Sequence, residues 1–548
     1  MMPVRPARLW RPMVVLVALA LGLPVLTVFG FLLAPAGDVW QHLADTVLGD
    51  YIGNSLLLML GVALGTLTLG VSTAWLTSMC EFPGRRLFEW ALLLPLAMPA
   101  YIIAYTYTGM LDFAGPVQSG LRETFGWRYG DYWFPEIRSL GGAALMLSLV
   151  LYPYVYLLSR AAFLGQSVCV LDVSRTLGNG PWRTFFGVAL PLARPAIIAG
   201  LSLALMETLA DYGTVKYFGV STFTTGIFRT WFGLDDAAAA AQLSSILLLF
   251  VFALVMLELA SRRQARYHHT SQRLQAISRF RLTRHHAFGA VALCLGTLTL
   301  GFLLPAAQLL SWAVETAADT VDAAFWRMIV NSLTLAAITA LVALLLALFL
   351  AYAKHLMPHR DVRAAVRIAS MGYAVPGTVI AVGVLIPFGW LDDRIDALAG
   401  HWFGVSTGLL LSGTLFALVF AYLVRFLSVA VQTVDAGLGK IRPSMDEAAR
   451  SLGCTSGETL RLIHLPMLRG SLFTALLLVF VDVLKELPAT LILRPFDFNT
   501  LAVRAFELAS DERLADSSTA ALAIVAAGIV PVILLSRAIT RSRHAKDS

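Results

Sequence analysis

The sequence predicts an all-α polytopic membrane protein, and three observations support this fold class. Hydrophobic residues make up 58% of the 548 residues and charged residues only 14%, whereas soluble domains carry about 25% charged residues. Apolar segments long enough to cross a bilayer as a helix recur along the whole chain. They form two sets of six with corresponding sequences, which predicts about 12 transmembrane helices in two parallel six-helix halves.

The twelve predicted spans are separated by short charged loops. They are 12–34, 52–79, 87–111, 139–159, 194–217, 237–260, 287–312, 328–353, 368–390, 404–424, 470–493 and 517–536. The apolar run of the first span is longer than that of a typical signal peptide. We therefore expect this span to be retained.

The distribution of basic residues predicts the orientation of the spans. With the N-terminus inside, 30 of the 41 Lys and Arg residues fall in the inner loops and termini, where basic residues accumulate in membrane proteins. We therefore expect a multi-pass membrane protein, surrounded by lipid, with both termini cytoplasmic. The net charge of +7 is then a consequence of orientation, and no binding of nucleic acid is expected.

Two polar segments interrupt the apolar pattern, and they correspond to each other at an offset of 275 residues. Gly178 corresponds to Gly453, and Pro191 corresponds to Pro466. The repeat predicts a first half at 1–261, with its polar loop at about 168–191, and a second half at 287–548, with its loop at about 443–466. A basic segment, 262–286, joins the halves on the inner side.

The second polar loop carries local signals for two short helices. Ser444 and Glu447 have the spacing of a capping box, as do Thr455 and Glu458. Gly453 lies between them, where glycine readily adopts the left-handed conformation that ends a helix. The loop is therefore predicted to be a helix, a glycine turn and a second helix.

Prolines and glycines predict how each loop ends. The second helix of the second loop is expected to stop near Pro466, because proline cannot continue a helix. In the first loop, Gly178 is expected to end a helix, Gly180 to lie in the turn, and Pro181 to occupy the first turn of the next helix.

The second loop resembles the signature cytoplasmic loop of ABC importer permeases. The resemblance consists of the E-A-A motif at 447–449, Gly453, Ile463 and Leu465-Pro466. The first loop is a weaker copy, with Asp172-Val173-Ser174 in place of E-A-A. By this resemblance the ATPase-coupling residues are Asp172, Arg175, Gly178, Pro191, Glu447, Ala448, Ala449, Arg450, Gly453 and Pro466.

The resemblance implies the type I ABC importer permease fold and a set of partners. In that family the loop forms a coupling helix that docks on an ATP-binding subunit, so two loops imply two copies of that subunit. A periplasmic substrate-binding protein is the other expected partner. The sequence contains no G-x-x-x-x-G-K-[ST] motif. The chain is therefore expected to be a translocation pore rather than an enzyme and to bind no cofactor, with ATP and Mg held by the partner.

Segment 206–233 indicates the cargo. Its A-D-Y-G-T followed by T-F-T-T resembles the ferric-iron type of fused permease. Thiamine, phosphonate and polyamine importers are the alternatives within the family. An ion-coupled secondary transporter is the alternative from another class, because some of those proteins also have parallel six-span halves.

Acidic residues near the ends of the fifth and eleventh spans suggest a translocation path. Glu207 and Asp211 are four residues apart, as are Asp482 and Glu486 at the matching offset. Carboxylates suit a hard cation, and Tyr212 is a further candidate oxygen donor. The alternative is that these acids cap helix ends or contact the binding protein.

No metal site is assigned from the sequence. The paired histidines at 268–269 and 285–286 lack carboxylates or cysteines at ligand spacing. The four cysteines are scattered and form no C-x-x-C pair.

Overall fold

The computed structural model is almost entirely helical, as the sequence predicts. It describes residues 10–35, 37–128, 130–166, 176, 178, 180–263 and 279–544. In the first part of the chain the helices are α1 (Trp10–Gly30), α2 (Asp38–Thr46), α3 (Leu48–Met79), α4 (Arg85–Ala91), α5 (Ala100–Leu111), α6 (Pro116–Phe125), α7 (Leu140–Gly165), α8 (Pro181–Thr184), α9 (Leu190–Ala210), α10 (Gly213–Tyr217), α11 (Phe223–Phe228) and α12 (Ala237–Arg263).

The later part of the chain continues the same architecture. Its helices are α13 (Arg284–Leu298), α14 (Leu304–Thr320), α15 (Ala323–Leu356), α16 (Arg360–Ala369), α17 (Gly377–Phe403), α18 (Leu415–Leu438), α19 (Pro443–Ser451), α20 (Ser456–Thr459), α21 (Leu465–Leu484), α22 (Pro488–Leu493), α23 (Leu501–Ser510) and α24 (Leu514–His544). Short 3₁₀ segments lie at 31–33, 94–97 and 372–374, and π-helical segments at 185–189, 229–233, 299–303 and 460–464.

The predicted number of spans is confirmed. Ten helices in the described residues are long and apolar enough to cross a membrane, and there are twelve spans if each of two bent helix pairs counts as one. The bent pairs correspond to the predicted spans 87–111 and 368–390, for which no bend was expected. The bends measure 91° and 118°.

Prolines at equivalent positions of the repeat cause the two bends. Pro99 and Pro376 immediately precede α5 and α17. Met98 and Val375, the residues before them, are extended, with ψ of 112° and 126°. Proline disfavours the helical conformation in the residue that precedes it, so each helix pair breaks at this point.

Two other span boundaries differ from the prediction. The predicted span 404–424 begins only at Leu415, because the backbone N–H groups of the preceding loop bind the carboxylates of Asp392 and Asp396 instead of forming a helix. The predicted spans 194–217 and 470–493 are each interrupted, since α9 ends at Ala210 and α21 ends at Leu484.

The described end of the basic linker is attached to the first half. Strand β1 (Cys80–Glu81) pairs in parallel with β2 (Phe280–Arg281). The Arg279 side chain donates a hydrogen bond to the backbone oxygen of Ser78 and forms an ion pair with Glu81. The end of the linker is therefore held at the C-terminal end of α3.

The chain forms two compact units whose boundaries differ from the halves predicted from the repeat. One unit comprises Met1–Gln41, Ile227–Ile246 and Val321–Arg504, and the other comprises His42–Gly226, Leu247–Thr320 and Ala505–Ser548. The physical reason is the packing of terminal helices. In the first unit α1 packs on α16 and α17, and in the second α24 packs on α14. The halves 1–261 and 287–548 thus describe the sequence repeat rather than the spatial grouping.

A glycine allows α1 to pack closely on α17. A Cβ atom at Gly383 would lie 2.4 Å from the backbone oxygen of Pro24. Real Cβ atoms do not approach backbone this closely, so a side chain at 383 requires the two helices to separate. Gly389, on the same helix, has no neighbouring atom within 4 Å of its Cβ position.

We expect Gly383→Ala to destabilise the protein by about 1–3 kcal/mol, the usual cost of overpacking a close contact. Thermal unfolding of the purified chain measures this effect. Gly389→Ala is the matched control and should be neutral or stabilising by up to about 1 kcal/mol, because alanine favours the helix. Equal unfolding temperatures for the two variants would contradict the proposed close packing.

Candidate coupling loop and membrane carboxylates

Helix α19 begins two residues earlier than the predicted N-cap at Ser444 implies. Pro443 occupies its first turn and Arg442 is the N-cap residue, and no side chain caps the helix. The predicted capping box of Ser444 and Glu447 is therefore wrong. Proline is well suited to the first helical position because its missing N–H would be unsatisfied there, and this places Ser444 inside the helix.

The glycine turn after α19 is confirmed. Gly453 has a φ of 85°, in the left-handed region that favours glycine. The N–H of Cys454 donates to the oxygen of Ala449, and the N–H of Gly453 donates to that of Arg450. These bonds satisfy carbonyl groups at the helix end, as in other glycine C-caps.

The second capping box is also confirmed. The Thr455 side chain accepts a hydrogen bond from the N–H of Glu458, and the Glu458 carboxylate accepts one from the N–H of Thr455. The latter bond, with one from the Thr455 hydroxyl, holds the pKa of Glu458 below its usual value. The start of α20 is therefore specified by residues within one turn.

The expected helix stop near Pro466 is wrong. Residues 456–484 form a continuous helical segment, with a π-helical turn at 460–464 before α21. The N–H of Leu465 donates to the oxygen of Leu460, five residues earlier. Pro466 follows this turn in the first turn of α21, where the change of hydrogen-bond register accommodates its missing N–H. The polar loop thus runs directly into a membrane helix.

The two faces of α19 differ in exposure. Glu447, Ala448 and Arg450 are exposed, and Leu452 just beyond the helix is 83% exposed. Ala449, in contrast, is only 2% exposed. The first two positions of the E-A-A motif therefore face outward with an apolar residue beside them, and its last alanine packs inward.

Asp446 attaches the inner face of α19 to two other segments of the same unit. The Nε2 atom of His355, in the last turn of α15, lies 2.7 Å from one carboxylate oxygen of Asp446. The Nε2 atom of His464, in the π-helical turn, lies 2.7 Å from the other. Partial burial acts to raise the pKa of Asp446, but the two histidine hydrogen bonds outweigh it and hold the pKa below its usual value. The carboxylate is therefore ionised at neutral pH.

Aromatic contacts orient both histidine rings. The Tyr352 ring stacks on His355 with an interplanar angle of 16° and meets the edge of His464 with centroids 5.5 Å apart. The Tyr352 hydroxyl donates to the backbone oxygen of Ser456, 2.6 Å away. The sequence alone does not predict this cluster, because its members lie on three segments. A signal existed in the pair of Asp446 and His464, both within the second loop.

The structure describes only part of the first loop. Asp172 and Arg175 lie outside the described residues. Gly178 has a φ of 79°, and Pro181 begins α8, so the predicted glycine turn and helix start are confirmed there. Pro191 lies in the first turn of α9, after the π-helical turn at 185–189, as Pro466 does in the second loop.

Asp211 lies at the end of α9 and caps the next helix. Its carboxylate accepts hydrogen bonds from the N–H groups of Thr214 and Val215 and from the Thr214 hydroxyl, at 3.0–3.1 Å. Glu207, one turn earlier, is half-buried. Tyr212 is buried, and its ring packs against Phe506. Asp211 therefore shapes the turn that separates α9 from α10.

Glu486 has the equivalent position in the other unit, and its carboxylate is more extensively bonded. Arg425 donates to it at 2.9 Å, and both residues are buried. It also accepts hydrogen bonds from the N–H groups of Ala489 and Thr490 and from the Thr490 hydroxyl. Asp482 pairs at 2.9 Å with Lys485 and is 20% exposed. These contacts assign Glu486 a capping and charge-pairing role. A role in the translocation path stays a prediction for Glu207, Asp211, Tyr212, Asp482 and Glu486.

Comparison with known proteins identifies the family. Residues 66–266 and 362–544 match the family described as binding-protein-dependent transport system inner membrane component. The two matched segments make up well over half of the chain, and each contains one of the polar loops. The chain belongs to this family. The permease is thus an inner-membrane transport component that works with a binding protein, and the family occurs twice in it, in agreement with the predicted fold class.

Several relatives are transport permeases. The Fe(3+)-transport system permease protein FbpB 2 of Haemophilus influenzae is 27% identical over 555 residues, which cover 98% of this permease and 99% of the relative. The ferric transport system permease protein FbpB of Actinobacillus pleuropneumoniae is 23% identical over 460 residues, which cover 81% of this permease and 64% of the relative. The molybdenum transport system permease protein ModB of Escherichia coli is 33% identical over 153 residues, which cover 28% of this permease and 64% of the relative.

We expect Glu486→Ala to destabilise the permease by about 3–5 kcal/mol, because it removes a buried carboxylate that pairs with Arg425 and accepts hydrogen bonds from the start of α22. Thermal unfolding in detergent measures the change. Asp482→Ala is the control, since loss of a more exposed ion pair costs only about 0–1 kcal/mol. The double variant Arg425→Met, Glu486→Gln removes both charges and keeps a hydrogen-bond acceptor, and it should recover much of the loss. A single Glu486→Ala variant as stable as the wild type would contradict this role.

Proposed function

We propose that the permease is the membrane subunit of an ATP-driven importer of ferric iron that a periplasmic binding protein delivers. The observation that carries the proposal is the match over 98% of this chain and 99% of a ferric permease. The molybdenum permease matches only 28% of this chain, a length that one copy of the repeat can contain. Thiamine, phosphonate and polyamine are the alternative cargoes.

The two polar loops are the proposed docking sites for two copies of a cytoplasmic ATP-binding subunit. The support is the exposed face of α19, where Glu447 and Leu452 are accessible, and the matching glycine turn at Gly178. With the loops cytoplasmic, both termini are also cytoplasmic, as the distribution of Lys and Arg indicates. The partner subunits supply ATP and Mg, since this chain has no phosphate-binding motif.

The contacts of α19 provide a route from the partner to the membrane helices. When the ATP-binding subunits move, they displace α19. Asp446 transmits that displacement to His355 on α15 and to His464 at the start of the α21 helix. Because 456–484 is helical throughout, movement at α20 reaches the membrane part without an intervening loop. Alternating access of the cargo pathway follows from this movement.

Glu207, Asp211, Tyr212 and Asp482 are the proposed oxygen groups of the pathway. A hard, highly charged cation prefers oxygen ligands, and ionisable groups within a membrane protein usually face an aqueous path or one another. The carboxylate of Glu486 is already bound by Arg425 and by α22, so its proposed contribution is to position this region. None of these residues needs to hold the cargo tightly, because a permeating ion must also leave.

Uptake of radiolabelled ferric iron tests the proposal. Vesicles contain the permease and its ATP-binding subunit, and the binding protein is supplied loaded with iron. We expect uptake that requires ATP and both partners. Binding-protein-stimulated ATP hydrolysis without iron uptake would overturn the cargo and leave the importer. Transport driven by an ion gradient without the ATP-binding subunit would instead establish the secondary transporter.

Glu447→Lys tests the coupling surface. We expect the initial rate of uptake to fall by roughly tenfold or more, because a charge-assisted hydrogen bond contributes about 1.5–3 kcal/mol and each 1.4 kcal/mol is a factor of ten. The permease itself should stay folded, since Glu447 is exposed. Asp393→Lys, the same charge reversal at an exposed position of α17, is the control. Uptake at the wild-type rate in both variants would rule out the coupling role of Glu447.

A further inference from the structure

The cluster of Asp446, His355 and His464 has the composition of a transition-metal site. One potential ligand atom from each of the three side chains lies within 4.8 Å of those from the other two. Two imidazoles and a carboxylate are the donor set that binds ions such as Zn(II) and Fe(II). The family's coupling motif, which concerns the outer face of α19, does not account for these inward-facing groups.

We infer that His355, Asp446 and His464 form a binding site for a divalent transition-metal ion, through which cytoplasmic metal acts on the second coupling helix. The three side chains come from the end of α15, from α19 and from the π-helical turn before α21. An ion at this point would be bonded to the coupling helix and to two membrane helices at once. Its binding would therefore restrict the movement that coupling requires.

The surroundings of the cluster favour a cation. Asp446 supplies a negative charge, and its carboxylate is the group to which both rings point. The rings are oriented by Tyr352, so little conformational freedom would be lost on binding. His355 and Asp446 are 27% and 16% exposed in their side chains, whereas His464 is buried at 1%. An ion therefore has access from solvent on one side and a buried ligand on the other.

Proton positions allow both histidines to act as ligands. A neutral histidine that donates from Nε2 must move that proton to Nδ1 before Nε2 can bind a metal. The Nδ1 atom of His464 is buried and has no hydrogen-bond partner, so it can take up the proton, at the cost of a buried N–H without an acceptor. On metal binding, the Nε2–H hydrogen bonds of His355 and His464 to Asp446 are replaced by bonds from Nε2 to the ion. Each proton stays on its ring, so no other reactant is needed.

Metal binding also requires a small displacement of α19. Each histidine Nε2 atom now lies 2.7 Å from a carboxylate oxygen of Asp446, the distance of a direct hydrogen bond. Ligand atoms at about 2.1 Å from a tetrahedral ion are about 3.4 Å apart. The carboxylate must therefore move away from the rings by several tenths of an ångström. Because α19 carries the carboxylate, occupancy of the site and the position of the coupling helix are linked.

The site is specific to the second loop. At the offset of the repeat, Leu171 stands opposite Asp446 and Ala189 stands opposite His464. Neither side chain can bind a metal. One ion per chain is therefore expected, and it acts on one of the two coupling loops.

Metal binding by the purified full-length permease tests the site. The chain is first treated with a chelator and then titrated with Zn²⁺ in competition with a chromophoric chelator. We expect His355→Gln to lower the affinity for one equivalent of Zn²⁺ by about 10- to 100-fold or more. Removal of a residue that only hydrogen-bonds to a metal ligand already causes a loss of that size. Glutamine can still donate to Asp446, so the fold should be kept. His359→Gln, an exposed histidine four residues along, is the matched control and should bind Zn²⁺ like the wild type.

A spectroscopic measurement separates this site from other metal-binding groups. Co²⁺ in place of Zn²⁺ should give a visible absorption band in the wild type and His359→Gln, and the band should be lost in His355→Gln and in His464→Gln. Identical Zn²⁺ affinity and stoichiometry in wild type and His355→Gln would overturn the site. A Co²⁺ spectrum unchanged by both variants would overturn it as well.

The regulatory step rests on the proposed function and has its own measurement. In vesicles with the ATP-binding subunit exposed to the bath, Zn²⁺ should inhibit ATP hydrolysis stimulated by the binding protein in the wild type and in His359→Gln, and should inhibit it less in His355→Gln. Equal inhibition in the three proteins would overturn the regulatory step. Because Zn²⁺ binding is measured on the permease alone, a negative result for ferric uptake would change the cargo and leave this site standing.

Discussion

The hydrogen bonds of the Asp446 carboxylate determine where α19, the helix of the second polar loop, lies. Helix α19 has only nine residues, fewer than an isolated helix needs to be stable in water. Most of its surface is exposed, and Ala449 supplies little apolar area. The two contacts at 2.7 Å therefore hold α19 on α15 and on the α21 helix. Under the proposed function, displacement of α19 by a partner on its outer face therefore reaches α15 and the α21 helix through the Asp446 carboxylate.

Features with local causes were predictable from the sequence. The turns at Gly178 and Gly453 and the capping box of Thr455 and Glu458 involve residues within one or two turns of a helix, and all are confirmed. The number of spans followed from the lengths of the apolar segments. Hydropathy does not show where a helix bends, however, so the bends before α5 and α17 were not predicted. Pro466 was misread because a π-helical turn before it alters the hydrogen-bond register.

The side-chain partners of the candidate site could not be predicted, because they depend on packing between distant segments. The spacing of Asp482 and Glu486 suggested two equivalent acids on one helix face. The structure distinguishes them, since the carboxylate of Glu486 pairs with Arg425, 61 residues away, whereas that of Asp482 pairs with Lys485. Likewise His355 is 91 residues from Asp446. A repeat in the sequence shows which positions correspond, and the fold determines which of them are bonded.

The two loops can differ because each has its own sequence within one chain. Two identical subunits would present identical coupling helices, so any group that restrained one would restrain both. Here Asp446 and His464 have no counterpart in the first loop, where Leu171 and Ala189 stand. Helix α19 of the second loop therefore has a polar, charged attachment to its membrane helices that the first loop cannot form through these positions. A restraint on one loop suffices to regulate the whole importer if ATP hydrolysis requires both coupling helices to move together.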